Sequence, residues 1–504
     1  MNTISRRTFA GSLASGAAVS LSAAPRRPNI IFLCADQHSG LALGAAGHPI
    51  VRTPNLDRLA ARGMLFRNAY CGSPVCVPGR ASLMTGQFAS DVGSYCNSTP
   101  FDGRTPSWGN RLRDAGYHCW ATGKLDLTLG KDYGFEEVET AHGHSQHPDI
   151  TSLFRAPVCF RANERQAVNG VFKDHSEKDN DVASRTLDFL RDRAPKLGKP
   201  WVAYAGFHLP HPNWVAQEKY RALYPPETMP LPAWPDGYLE RRPAMFQILA
   251  NFKNISTPIP ADRVRRARAA YYSCISELDA IAGRILDEVD KSGQWDNTVI
   301  VYTSDHGEML GEHGLWLKNV LLEGAARVPL ILAGASLPKG KIVETPVMHA
   351  DLIATLIDLA GAKKGPELRG QSLLGDRRSG IVYAESHSEG NCTGSFIIRK
   401  GEWKYFYFTG DAPLLFNLKD DAGEMRNLAG VAAHTGIRRE LHAHLTSLLD
   451  PDAVTWRAFS KQDEVLKAMV ARLSPDQFYG ELKGRLGPTQ ARVQTHRLYG
   501  RITK

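Results

Sequence analysis

The sequence predicts an α/β fold: a large doubly wound mixed sheet flanked by helices, with a smaller C-terminal α+β subdomain built on an antiparallel sheet. Three observations predict it. Apolar runs of strand length alternate with helix-period segments from Asn29 to about Gly361, the pattern of a sheet covered on both faces. From about Gly380 the pattern changes to short alternating strands, which read as a small antiparallel sheet. The 504 residues exceed one ordinary core, so a large domain over 25–379 and a smaller one over 380–504 are expected.

Each element has its own signal. Asn29 to Ala35 is an apolar strand that ends in Asp36-Gln37. Pro54 opens a helix at its tolerated first position, Gly63 stops it, and the next strand leads to Cys76. No breaker follows Arg80 until Gly86, which places Cys76 at a helix N-terminus. Trp201 to Phe207 is a buried strand that delivers His211. Prolines and aromatics cluster without period between Pro212 and Pro260, which predicts a long loop region. Arg263 to Asp290 is a long amphipathic helix, and Thr298 to Thr303 is a second strand ending in acids. In the C-terminal part, strands are expected at Gly380 to Glu385, Ser395 to Arg399, Trp403 to Phe408 and Leu414 to Leu418. Helices follow near Arg438 to Leu449 and Gln462 to Leu473.

Residues 1–24 read as an export signal: Ser5-Arg6-Arg7-Thr8-Phe9 is a twin-arginine box, and a mild Ala/Gly/Ser-rich run follows it. The run is too short and too mild for a permanent membrane anchor. The expected location is periplasmic or secreted, reached through the twin-arginine export machinery. Net charge falls from +9 to +7 when Arg6 and Arg7 leave with the signal. A basic balance fits a polyanionic substrate. Nucleic acid is not expected, because the basic residues are scattered and no binding motif accompanies them. Eight cysteines in so long a chain are not a disulfide framework.

The chemistry gathers at strand ends. In open α/β sheets, ligands sit beyond the carboxyl ends of strands. Two strands here end in Asp36-Gln37 and in Asp305-His306. Two carboxylates, an amide oxygen and an imidazole suit one hard divalent ion, Ca2+ first, with Mg2+ or Mn2+ as alternatives. Between these ends lies Cys76-Val77-Pro78-Gly79-Arg80, followed by Leu83-Met84-Thr85-Gly86.

The C-x-P-x-R core with its L-x-T-G tail resembles the signature by which sulfatases, of the alkaline-phosphatase superfamily, convert a cysteine to formylglycine. Thr53 to Ala60, Ser73 to Cys76, Asp305 to Gly314, Lys318, Arg327 to Leu330 and Asp351 to Gly361 are similar to further family signatures. The resemblance covers most of the chain. It implies that Cys76 acts as an aldehyde hydrate made by a formylglycine-generating enzyme; one hydroxyl attacks sulfur and the other releases sulfate. It assigns Asp36, Gln37, Asp305 and His306 to the metal, and Arg80 and Lys124 to the hydrate and sulfate oxygens. His211 and Lys318 clamp the sulfate from the other side, with His211 as acid toward the leaving alcohol. His208 and His313 are neighbours that can touch substrate. Glu385, His387 and Asn391 are candidates to reach the pocket, against the default of a surface loop.

Three departures refine the resemblance. Gln37 stands where many sulfatases carry aspartate, a pattern similar to choline-sulfatase and phosphonate-monoester-hydrolase relatives. A phosphodiester or phosphonate hydrolase is therefore the rival reading, and an inactive polyanion-binding protein the reading of another class. Val77 and Gly79 replace small polar residues of the activation motif. Asp126 stands where the family commonly has histidine, and a carboxylate there can still deprotonate the hydrate. Gly123 to Thr128, Phe207 to Pro212, Tyr271 to Cys274 and Glu385 to Asn391 are similar to the arylsulfatase K, or glucuronate-2-sulfatase, branch. That implies a sulfated glycan, with a 2-O-sulfated uronate as its form.

Overall fold

The computed structural model describes residues 27–142, 149–155, 161, 165, 177–335, 337–375 and 379–500; the export signal read at 1–24 lies outside them. Eight strands form the main sheet. In chain order they are β1 (Asn29–Ala35), β2 (Gly63–Phe66), β3 (His118–Lys124), β4 (Glu137–His142), β5 (Trp201–Gly206), β6 (Thr298–Ser304), β7 (Leu330–Gly334) and β8 (Lys341–Val343). Their spatial order is β8-β2-β7-β6-β1-β5-β3-β4. β6, β1, β5, β3 and β4 run parallel, while β7 is antiparallel to both of its neighbours.

The central strands are apolar along their whole length because both faces are covered. Alternate residues of β1 separate cleanly: Ile31, Leu33 and Ala35 join one core, and Ile30, Phe32 and Cys34 join the other. On the first face lies the long helix, Ala261–Lys291, which contributes Tyr271, Cys274, Ile275 and Leu278. On the second lie Cys76–Thr85 and His349–Leu359, through Ala81, Leu83, Leu352 and Leu356. Among the described residues no helix is long and apolar enough to cross a membrane, and none of the seven described cysteines forms a disulfide.

The segment between Pro212 and Pro260 is not all loop. It holds the helices Glu218–Arg221, Tyr238–Arg241 and Ala244–Phe252, the last burying Met245, Phe246 and Leu249. The C-terminal sheet has four antiparallel strands, Ile381–Ser386, Ser395–Lys400, Trp403–Phe408 and Asp411–Asn417. Beyond it come Thr435–Leu448 and Pro451–Arg472, then two helices that the sequence reading missed, Pro475–Leu486 and Pro488–Tyr499. Both begin on proline at the first helical position.

A buried ion network pins this sheet to the main body. Lys404, fully buried, places Nζ 2.8 Å from Glu323 Oε1 and 2.9 Å from Glu424 Oε1. Arg399 stands 3.6 Å from Glu323 Oε2, and Tyr70 donates to the same carboxylate at 2.7 Å. Lys404→Met should leave two buried carboxylates facing each other, at a cost of about 3–5 kcal/mol. Urea unfolding checks this: a midpoint equal to wild type would mean that the network does not carry the junction.

Candidate active site

Four neighbouring strands, β6-β1-β5-β3, deliver the site from one edge of the sheet. Ala35 and Ser304 are direct partners in the β1–β6 register, so Asp36 and Asp305 emerge side by side. β3 ends in Lys124, two residues before Asp126. At its close, Gly123 adopts φ 78° and pairs with Gly206; a Cβ on Gly123 would lie 2.1 Å from Gly206 O. The glycine pair lets the two strand ends close together as the chain turns toward the edge. β5 leads to His208 and His211, whose loop is fixed by Asp179: its carboxylate accepts from the His208 and Leu209 N–H groups, each at 2.8 Å.

The helix Cys76–Thr85 starts at this edge behind an extended Val75. It sits hard against the second strand end, because a Cβ on Gly79 would meet Ser73 O at 2.7 Å and Asp305 O at 3.0 Å. That contact gives a physical reason for Gly79 in the motif. Asn97 Oδ1 accepts the Val77 N–H at 3.2 Å and steadies the first turn; no sequence motif pointed to Asn97.

The side chains converge on Cys76, which is 2% exposed. Its Sγ lies 2.8 Å from Lys318 Nζ, 3.3 Å from His306 Nε2 and 3.9 Å from Asp36 Oδ1. Arg80 Nε donates to Asp305 Oδ2 at 2.9 Å and stands 3.6 Å from Asp126 Oδ2. Arg80 Nη1 donates to Lys124 O at 2.7 Å and to the Tyr204 hydroxyl at 3.0 Å. Lys124 Nζ bonds Asp36 and stands 3.2 Å from Asp126 Oδ2. Asp126 itself, at φ 53° and 1% exposed, is thus set between two cations.

This field favours an anion. Burial and the Asp36 carboxylate push the Cys76 thiol up, yet Lys124, Lys318 and His306 outweigh them and hold it well below its usual value. Burial likewise pushes Asp36 up, and Lys124, His211, Lys318 and His306 hold it well down. Burial and Asp36 raise Asp305, the second carboxylate of the pair.

The donor set fits a hard divalent ion. Ligand atoms of Asp36, Cys76, Asp305 and His306 all lie within 4.8 Å of one another. His306 Nδ1 lies 3.0 Å from Gly307 O, which leaves the Nε2 lone pair toward the cluster. Gln37 Oε1 is buried and has no hydrogen-bond partner among the described residues, while its backbone N–H donates to Asp305 Oδ1 at 3.1 Å.

The remaining sequence-derived candidates divide. His211 has its Nδ1 2.6 Å from Pro212 O. His208 Nδ1 lies 3.3 Å from Asp179 Oδ1. His313 is packed against Tyr238 and Phe246, its Nδ1 bonds the Tyr238 hydroxyl, and burial holds it down at about 4. Glu385, His387 and Asn391 are buried, not surface loop residues. Glu385 joins His387 Nε2 at 2.9 Å and accepts the Ser90 N–H at 2.8 Å. Asn391 donates to Asn319 O at 3.1 Å, and the Asn319 N–H donates to Pro74 O at 3.1 Å, which ties the C-terminal segment to the loops bearing Lys318 and Cys76. Sequence reasoning also missed Tyr204, which read only as core.

Cations around the buried Cys76, with two carboxylates beside it, form a centre suited to binding and hydrolysing an anionic ester. Residues 28–362 match the sulfatase family, and residues 311–450 match the region described as N-sulphoglucosamine sulphohydrolase, C-terminal. The chain belongs to the sulfatase family and is a sulfuric ester hydrolase. It is 33% identical to choline-sulfatase of Rhizobium meliloti over 80% of this chain and 82% of that one. It is 27% identical to arylsulfatase K of Danio rerio over 85% of each chain. Among solved structures it resembles the phosphonate monoester hydrolase of Agrobacterium radiobacter, with TM-score 0.71, 26% identity, and coverage of 84% of this chain and 95% of that chain.

Proposed function

We propose that the protein removes sulfate from a sulfated saccharide, with a 2-O-sulfated uronate as its favoured form, using Cys76 as formylglycine and one divalent ion. The observation that carries this is the setting of Cys76, with the Lys318 ammonium 2.8 Å from its Sγ and the ligand atom His306 Nε2 at 3.3 Å. The Cys76 sulfur stands in for the oxygens of a formylglycine hydrate, which would supply one hydroxyl for attack and one for release. A divalent ion on Asp36, Gln37, Asp305 and His306 would add Lewis-acid polarisation of the sulfate. Arg80, Lys124 and Lys318 bind the sulfate oxygens and stabilise their charge as it grows. His211 Nε2 gives a proton to the departing alcohol. Asp126 accepts one from the hydrate.

The net charge of +7 after loss of the signal favours a polyanionic glycan over a zwitterionic ester of no net charge such as choline sulfate. The motif resemblance of Gly123 to Thr128 and Phe207 to Pro212 to the arylsulfatase K branch points the same way, while the 33% identity to choline-sulfatase makes choline sulfate the comparison substrate. At 2% exposure Cys76 is closed to a modifying enzyme in the folded state. The formylglycine-generating enzyme therefore meets the chain before it folds, and the twin-arginine route then exports the folded product to the periplasm or beyond. We read 25–379 as the catalytic domain and 380–504 as the subdomain that closes one side of the pocket.

Coexpression with a formylglycine-generating enzyme should replace the Cys76 thiol by an aldehyde, read by mass spectrometry of the tryptic peptide. The same preparation should desulfate members of a panel of defined sulfated saccharides and turn over aryl sulfate faster than aryl phosphate. Full activity with wholly unmodified Cys76 would sink the nucleophile assignment, and faster phosphate turnover would hand the site to the phosphoryl reading.

A further inference from the structure

Glu308 stands behind the ligand cluster, 2% exposed. Its Oε1 accepts the Leu310 N–H at 2.8 Å and the Leu317 N–H at 2.7 Å. Its Oε2 accepts from Gln37 Nε2. An amide has polarity: one end only donates, the other only accepts. With Nε2 held on the carboxylate, Gln37 Oε1 must face the other way, and that is the buried oxygen without a hydrogen-bond partner among the described residues. Turned over, the same amide would aim two N–H groups at a cation. The bond to the Leu317 N–H also fixes the residue before Lys318, the cation 2.8 Å from Cys76 Sγ.

The geometry points to Glu308 as a positioning residue: it selects the Gln37 orientation that offers an oxygen to the metal, and it anchors the loop that carries Lys318. This rests on the metal reading above.

Amide reversal gives a specific test. In Glu308→Gln the new side chain keeps its oxygen on the two backbone N–H groups, so its NH2 opposes that of Gln37. Relief comes by flipping Gln37, which removes an oxygen ligand. Calcium affinity of chelator-treated protein, measured by calorimetric titration, should fall about ten- to hundredfold, the usual scale for a partner that orients a ligand. Adding Gln37→Glu to Glu308→Gln reverses the polarity of the pair and keeps its net charge. The carboxylate at 37 accepts from the amide at 308 and retains one oxygen for the ion, so affinity should return toward wild type. A merely structural role for Glu308 predicts no such rescue.

A second cycle does not depend on the swap folding well: in a Gln37→Ala background, Glu308→Gln should cost no further affinity. Unchanged affinity in the single variant, a double variant that folds but binds no better than the single, or additive losses in the alanine background would each overturn the inference. Wild-type protein that takes up neither Ca2+, Mg2+ nor Mn2+ would overturn the metal reading and this inference with it, an outcome distinct from the other three.

Discussion

Asp305→Ala is expected to lose bound divalent ion and sulfatase activity together, with kcat/KM down by about a thousandfold or more, because a metal's share of transition-state stabilisation is several kcal/mol. The residue does three things at once. Its Oδ1 belongs to the ligand cluster and accepts the Gln37 and His306 N–H groups at 3.1 and 2.9 Å, while Oδ2 holds Arg80 Nε at 2.9 Å. Without it, the nearest carboxylates to the Arg80 guanidinium are Asp126 at 3.6 Å and Asp36 at 3.8 Å. The guanidinium, 1% exposed, would be drawn toward Asp36 and compete with the ion for that carboxylate. Elemental analysis of purified protein reads the metal, and turnover of an aryl sulfate reads the activity. Chelation of wild type separates metal loss from local collapse: activity should fall and return on adding Ca2+. Full turnover in metal-free wild type would refute the site.

The central sheet and the acidic strand ends were legible because burial on both faces leaves a plain signature. Asn29 to Ala35 and Thr298 to Ser304 are apolar runs that stop on acids, and a parallel register carries those acids to one edge. Pattern could not show which way the Gln37 amide faces, since that is decided by Glu308, 271 positions away. Asn97 was invisible for the same reason: one long-range bond to the Val77 N–H gives it a role without any local motif. Glu385 and His387 looked like loop residues because their charge was read without their partners; in the fold the Glu385 carboxylate is held by His387 Nε2 and the Ser90 N–H, and so can be buried. The missed C-terminal helices show a different failure. At Pro475 and Pro488, proline occupies the first helical position, where its missing N–H costs nothing. A capping box, Ser474 with Gln477, was available as the opposing signal.

Asp126→Asn is expected to spare the step that frees alcohol and to slow the step that frees sulfate. The amide keeps the shape but cannot take a proton, and loss of a positioned base costs about a hundredfold to ten-thousandfold. The surroundings argue for the lower end. Arg80 Nε at 3.6 Å and Lys124 Nζ at 3.2 Å already hold the carboxylate oxygen and compete with an incoming proton for it. A loss of about a hundredfold in steady-state turnover is therefore the expected size. Rapid mixing with an activated aryl sulfate checks the assignment: alcohol should appear in a burst of one per site, with sulfate release lagging behind it. The same two cations supply the competing outcome. If Asp126 serves to hold Lys124 between itself and Asp36, its charge matters in both steps, the two phases fall equally, and no burst appears. Equal loss, or none, would move Asp126 from proton acceptor to positioning residue for Lys124.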